Sequence, residues 1–206
     1  AKYSQVTAIV NHPPSNDREE IYINLPLENW NGRFCGTGGA GYLGGSTLFM
    51  GAYTRQGFAV GATNAGHEGM TGAFALDKVN HCLNWQEIRD YGYLGIHDMA
   101  VFAKAMIKAF YGKPAGYSYF VGGSNGGRQG ITEAQRYPED FDGILSYYPT
   151  INLTRIFMGG LWPHAVMNDA NNKVSVQKQK AVTQAAVEAC DGDDGVVDGV
   201  IDSPER

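Results

Sequence analysis

Several things are scarce in this sequence, and each shortage excludes something. There are only three cysteines, Cys35, Cys82 and Cys190, an odd count without metal-ligand spacing, so at least one is free or has its partner elsewhere. Charged residues make up 18% of the 206, and the formal net charge is −5. That balance argues against nucleic acid or an anionic membrane as the main partner. No stretch is long and apolar enough to span a bilayer. No signal peptide opens the chain, which is compatible with a processed start at Ala1. No Gly-Lys-Ser/Thr follows the glycine loops, which disfavours a P-loop. Of five histidines only His164 lies downstream of Ser124.

Apolar residues, by contrast, make up 43% of the chain, enough for a real core, and there are 28 glycines. That is well above the usual ~7% share. They cluster at 36–51, 122–130 and 192–199, beside strand-like or acidic segments, where backbone must turn sharply or approach something closely. Apolar alternation and turn residues predict strands at 19–25, 33–37, 57–63, 117–122 and 143–148. Helical spacing predicts helices at 94–110 and 126–137, the first stopped by Gly112 and Pro114, the second by Pro138. Strands alternating with helices imply an α/β fold with a mainly parallel sheet. After Pro149 the character changes: 151–174 lacks a clean period, 175–189 reads as a polar helix, and 190–202 is acidic and glycine-rich. A boundary is expected near 150, and no internal repeat is present.

The run Gly122-Gly123-Ser124-Asn125-Gly126 falls between a predicted strand and a predicted helix. A serine at such a corner has strained backbone and needs small neighbours, and the turn lifts its hydroxyl off the sheet. Ser124 is therefore the candidate nucleophile, with the Asn125 N–H at the helix start as one half of an oxyanion hole. The glycine-rich loop 36–41 after an early strand would donate the other N–H, with Gly39 the expected donor and Gly38 next to it. The plain alternatives are a glycine-rich β–α turn and a flexible surface loop.

The second chemical signal is Asp191-Gly-Asp-Asp194-Gly195-Val196-Val-Asp198-Gly199-Val200. Carboxylates this dense repel one another unless a hard cation neutralises them, and calcium takes six to eight oxygens. The spacing is not that of an EF-hand, since position five is Gly195 and position twelve is Asp202. A solvated acidic turn is the alternative.

Taken together, the segments Tyr119–Gly130, Glu133–Gly143, Trp30–Phe34, Thr63–His67 and Asp90–His97 resemble the tannase and feruloyl esterase family, over nearly the whole chain. That family also includes terephthalate monoester hydrolases. The resemblance implies an α/β-hydrolase sheet, with residues 1–150 as the N-terminal part of the catalytic domain and 151–206 as the beginning of an inserted lid. It implies a secreted or periplasmic enzyme that hydrolyses small esters of aromatic acids, feruloyl or galloyl, through a Ser-His-Asp triad. It also implies a structural Ca2+ in the lid, held by the side chains of Asp191, Asp194 and Asp198 and the carbonyls of Val196 and Val200. Two positions depart from the family pattern. Many members have Cys directly before the nucleophile, disulfide-bonded beside the catalytic His, where this chain has Gly123; and Asn64 stands where the family has Asp.

In this fold the order is Ser, then Asp, then His. Histidines 12, 67, 81 and 97 precede Ser124; His97 is expected to pack in the core and His67 to anchor its loop. The acid and base are therefore expected beyond residue 206, in a C-terminal remainder of the same protein, and residues 1–206 alone should show little or no esterase activity. The resemblance likewise implies a partner for Cys190 past Arg206. Cys35 and Cys82 either pair or are unrelated buried thiols. Two other readings are a serine peptidase of the prolyl oligopeptidase type, disfavoured by the acidic loop and by Phe141–Ile144, and a calcium-stabilised binding module on a non-catalytic hydrolase scaffold.

Overall fold

A computed structural model describes residues 2–202. The chain forms two units, the first ending at Ile151 and the second beginning at Asn152. The strands in chain order are β1 (Tyr3–Val10), β2 (Glu19–Pro26), β3 (Arg33–Thr37), β4 (Ala59–Thr63), the short hairpin β5 (Leu76–Asp77) and β6 (Cys82–Leu83), β7 (Tyr117–Gly123) and β8 (Gly143–Tyr147). The helices are α1 (Met50–Arg55), α2 (Trp85–Arg89), α3 (Gly95–Tyr111), α4 (Asn125–Arg136), α5 (Leu153–Asp169) and α6 (Val176–Cys190).

The main sheet runs in the order β1-β2-β4-β3-β7-β8. β1 and β2 pair antiparallel, from Tyr3 opposite Pro26 to Val10 opposite Glu19, and β2 is antiparallel to β4. From β4 to β8 every pairing is parallel. β7 thus sits between β3 and β8, so the chain leaving the end of β7 lies beside the chain leaving the end of β3. That adjacency brings the two glycine-rich segments together.

The core is built where the patterns predict it. Ile96, Met99, Ala100, Ala103 and Ile107 form one face of α3 at helical spacing and pack on Ile21, Ile23, Leu25, Phe34 and Phe120 of the sheet. Met99 fills space that the strands open for it. A Cβ on Gly61 would stand 2.6 Å from its sulfur, and one on Gly36 2.9 Å from its methyl. α3 stops at Gly112, whose left-handed φ of 70° L-residues adopt only at a cost. Between α2 and α3 the helix runs through a π-type turn, Asp90–Leu94, in which Asp90 and Tyr91 are both buried. Such widened turns are often found at functional sites.

Several features differ from the sequence expectations. β1 and α5 were not foreseen: β1 alternates only between exposed and half-buried positions, and α5 continues through Pro163, which usually breaks a helix. His97 is not a packed core residue. It is half-buried, with Nδ1 2.6 Å from Asp140 and its ring stacked on Tyr137. There is also no disulfide among the described residues: Cys35 is buried on β3, where burial pushes its thiol up to about 12, while Cys82 is exposed on the hairpin and Cys190 is free. In the second unit, Ser175 caps α6 by accepting from the Lys178 N–H, and no side chain of α5 or α6 is buried.

Candidate active site

Ser124 is the corner residue between β7 and α4, with φ 55° and ψ −117°. A non-glycine residue there is strained, and strain of this kind persists only where its surroundings over-determine it. Here they do. The Ser124 N–H donates to Tyr147 O (3.3 Å), and its carbonyl accepts from the N–H groups of Arg128 (3.0 Å) and Thr150 (3.1 Å). Gly122 leaves no room for a side chain, since a Cβ would lie 2.4 Å from the Gly126 carbonyl. Ser124 lines a cavity of about 390 Å³ together with Gly38, Gly39 and Ala40. Neither its hydroxyl nor the Asn125 N–H has a hydrogen-bond partner among the described residues.

The loop across the cavity shows a consistent polarity. Every carbonyl from Gly39 to Gly44 lies within hydrogen-bond distance of a donor group or a ring nitrogen. Gly39 O takes the Gly126 N–H (2.9 Å) and Ala40 O the Leu43 N–H (3.0 Å). Gly41 O takes the Tyr91 hydroxyl (3.1 Å), and Tyr42 O faces His67 Nε2 (2.6 Å). Leu43 O takes Asn125 Nδ2 (2.9 Å), and Gly44 O takes Gln129 Nε2 (2.7 Å). The acceptors are thus turned into the protein, as in the backbone nests that bind anions.

This geometry corrects one expectation. The Gly39 N–H is not available as an oxyanion donor, because it already donates to Gln129 Oε1 at 2.9 Å. The next amide fits the role better. In a trans peptide the C=O and N–H point in opposite directions, so with Gly39 O directed at Gly126 the Ala40 N–H points away from α4. Among the described residues it has no partner, and Ala40 lines the Ser124 cavity.

Buried polar side chains hold this arrangement. Asn125 Oδ1 accepts from Arg128 Nε (2.8 Å) and, at 3.0 Å, shares the single Tyr91 hydroxyl proton with Gly41 O. Arg128 also donates to the carbonyls of Gly92 and Tyr91, both at 2.9 Å, and lies over the Tyr91 ring. Burial raises the Tyr91 phenol and lowers the Arg128 guanidinium from their ordinary values. Asn64, where the resemblance leads one to expect Asp, accepts the N–H groups of Glu20 and Gly66 and donates to Glu68. At Gly123, where many relatives are expected to carry Cys, the Tyr147 ring takes the space: a Cβ would be 2.3 Å from its Cε2.

Among the described residues, no His, Asp or Glu lines the Ser124 cavity. His67 spans the carbonyls of Ala65 and Tyr42, anchoring its loop as expected. His12 forms a separate cluster. Its Nδ1 lies 2.7 Å from Asp17 and 3.8 Å from Asp90, and its Nε2 lies 3.1 Å from Asp98. Burial acts to lower its pKa, but the hydrogen bond to Asp17 and the nearby carboxylates outweigh that and raise it. An imidazolium donating from both nitrogens suits such a site. Around it, burial pushes Glu19 up to about 9 and Asp90 up to about 6. Sequence spacing gave no hint of this group, since its members come from three separate segments.

In the acidic loop, Asp191 accepts the N–H groups of Asp198 and Gly199, Asp194 that of Val196, and Asp198 that of Val200. Each of these bonds uses one carboxylate oxygen and leaves the other available. Together with the carbonyls of Val196 and Val200, the donors are all hard oxygens, the chemistry calcium takes. The three carboxylates are nevertheless not drawn together as tightly as those around His12, which among the described residues form the groups with three ligand atoms within 4.8 Å.

Residues 4–206 match the sequence profile of the family described as tannase and feruloyl esterase. The chain is 40% identical over 201 residues to a probable feruloyl esterase of Arthroderma benhamiae, covering 95% of this chain and 37% of that protein. It is 31% identical over 195 residues to feruloyl esterase B of Aspergillus niger, covering 93% and 36%. Among solved structures, feruloyl esterase B from Aspergillus oryzae superposes with a TM-score of 0.83 at 30% identity, over 98% of this chain and 39% of that one. The chain therefore spans little more than a third of the length of these relatives. No helix among the described residues is long and apolar enough to cross a membrane.

Proposed function

The chain belongs to the tannase and feruloyl esterase family, and on that premise we propose that it supplies the nucleophile and oxyanion hole of a secreted or periplasmic carboxylic ester hydrolase. The substrates would be small esters of aromatic acids such as feruloyl or galloyl. The observation that carries this reading is the free Ser124 hydroxyl at a strained strand-to-helix corner, in one cavity with unpaired backbone amides.

In this reading Ser124 Oγ attacks the ester carbonyl and its proton passes to a histidine. The tetrahedral oxyanion is held by the N–H groups of Asn125 and Ala40, reinforced by the N-terminus of α4. Collapse expels the alcohol, which takes the proton, and leaves an acyl-serine that water then hydrolyses. The histidine and its aspartate come from a C-terminal part of the protein beyond residue 206. Residues 152 onward begin a lid, and Asp191, Asp194, Asp198 and the carbonyls of Val196 and Val200 would hold a structural Ca2+ there.

The test is to treat the full-length protein with a fluorophosphonate and locate the adduct by mass spectrometry, alongside assays on methyl ferulate and methyl gallate. An adduct on Ser124, with hydrolysis abolished in Ser124→Ala, is expected. An unmodified Ser124, or an active Ser124→Ala variant, would refute the reading.

A further inference from the structure

Gln129 is almost fully buried one helical turn beyond Asn125, and it reaches across to both ends of the loop 39–44. Its Oε1 accepts the Gly39 N–H at 2.9 Å and its Nε2 donates to Gly44 O at 2.7 Å. Only one orientation of the amide satisfies both contacts, because one partner is a donor and the other an acceptor. We infer that Gln129 is a positioning residue for ester hydrolysis: by taking the Gly39 N–H for itself, it sets Ala40 as the second oxyanion donor. The inference rests on the esterase reading above.

With the Gly39 N–H turned to Gln129 and Gly39 O turned to Gly126 N–H, the peptide groups on both sides of Gly39 are fixed in orientation. Without the Gln129 acceptor, the Gly39 N–H would be buried and unpaired, a state that backbone avoids by rotating. Rotation of the Gly38–Gly39 peptide swings a carbonyl along with the amide. Such a movement passes through the Gly39 α-carbon to the Gly39–Ala40 peptide and takes the Ala40 N–H off the place where negative charge develops, which would raise the barrier without altering how the aromatic ring of the substrate is held. Glycine at 39 is part of the same device, since a Cβ there would lie 2.0 Å from Leu43 O, so the loop can close on itself only if that position is bare.

The experiment compares Gln129→Met, Gln129→Glu and Ser124→Ala in the full-length protein on methyl ferulate. Methionine keeps the volume and loses both hydrogen bonds. Gln129→Met should lower kcat by about 10- to 100-fold with KM changed less than about twofold. Affinity for an aryl boronic acid, which becomes a tetrahedral anion on the serine, should fall by the same factor as kcat/KM, while affinity for a neutral phenol with the ring of the substrate's acyl group stays put. Gln129→Glu should give a pH signature. When protonated it mimics the amide, accepting from Gly39 and donating to Gly44, so its activity relative to wild type should be near one at low pH and fall as pH rises. An inactive Ser124→Ala together with a Gln129→Met kcat within twofold of wild type would overturn this inference alone. So would a pH-independent ratio for Gln129→Glu. An active Ser124→Ala would overturn the esterase reading and this inference with it.

Discussion

The contact between Gly123 and Tyr147 lends itself to a quantitative test. A methyl group at position 123 would stand 2.3 Å from Tyr147 Cε2, 2.8 Å from Cζ and 2.9 Å from Cδ2. Carbon atoms settle at about 3.5 Å or more, so the ring must retreat by about 1 Å. It can move, because Tyr147 is 40% exposed, but it is packed edge-on against Tyr148 at 4.6 Å. Overpacking of this kind costs about 1–3 kcal/mol, and partial exposure places the Gly123→Ala cost in the lower half, about 1–2 kcal/mol. The backbone does not oppose the substitution, since Gly123 is not in the left-handed region. With Tyr147→Ala the obstacle is gone, and Gly123→Ala should then be neutral or stabilising by up to about 1 kcal/mol through the entropy of the unfolded chain. The assay is a double-mutant cycle from urea unfolding of the full-length protein, followed by one probe for all four proteins. Additivity within about 0.5 kcal/mol, the value expected of independent sites, would refute the claim that the tyrosine ring holds the space a cysteine would need.

Two further predictions concern charge. Glu133 is 1% exposed and burial pushes it up to about 8 from an ordinary value near 4.5, with Asp140 adding to the rise. The folded state therefore binds this proton more tightly than the unfolded one, so the stabilisation is complete below about pH 4.5 and lost as pH rises through about 8. The melting temperature should fall from pH 6 to pH 9, and Glu133→Gln should flatten that fall; an unchanged slope would assign it to other groups, such as His12. For the acidic loop, adding EGTA to the full-length protein should lower the melting temperature, and Asp194→Asn with Asp198→Asn should remove the difference. A melting temperature indifferent to chelator would leave the loop a solvated turn.

The sequence exposed what depends on local pattern. Strands 19–26, 33–37, 59–63, 117–123 and 143–147 and helices 95–111 and 125–136 carry their own periodicity and stop signals, and each lies within a few residues of its predicted place. The corner at Ser124 was legible because its letters and its strand–helix setting agree. What stayed hidden depends on distance along the chain. Gln129 and Gly39 are 90 residues apart and Asn125 and Leu43 82 apart. Nothing in the loop says which amide will be spent on a side chain, so Gly39 was the natural but mistaken choice of donor. One signal was present and unused: α4 buries Asn125, Gln129 and Glu133 where an ordinary helix buries apolar residues. Polar groups buried at four-residue intervals need partners, and a glycine-rich backbone loop is rich in unclaimed ones.

In the proposed reaction, the same bookkeeping of partners is what would let the loop hold an anion. Paired carbonyls cost nothing further, whereas each buried amide without a partner costs about 1–3 kcal/mol. A loop whose carbonyls from Gly39 to Gly44 all face donor groups or a ring nitrogen, while Ala40 N–H is unclaimed, has its unmet need in a donor. That need lies beside the first turn of α4, where the Asn125 N–H is also unpaired and the helix end is partly positive. A neutral ester oxygen relieves that need weakly and a full oxyanion relieves it strongly, which is the differential that catalysis requires. The side chains of Tyr91, His67, Asn125 and Gln129 never touch the reacting atoms in this scheme. Their contribution is to fix which way the loop peptides face: they engage carbonyls of the loop, and Gln129 also takes the Gly39 N–H, so that Ala40 N–H is the loop amide left unclaimed.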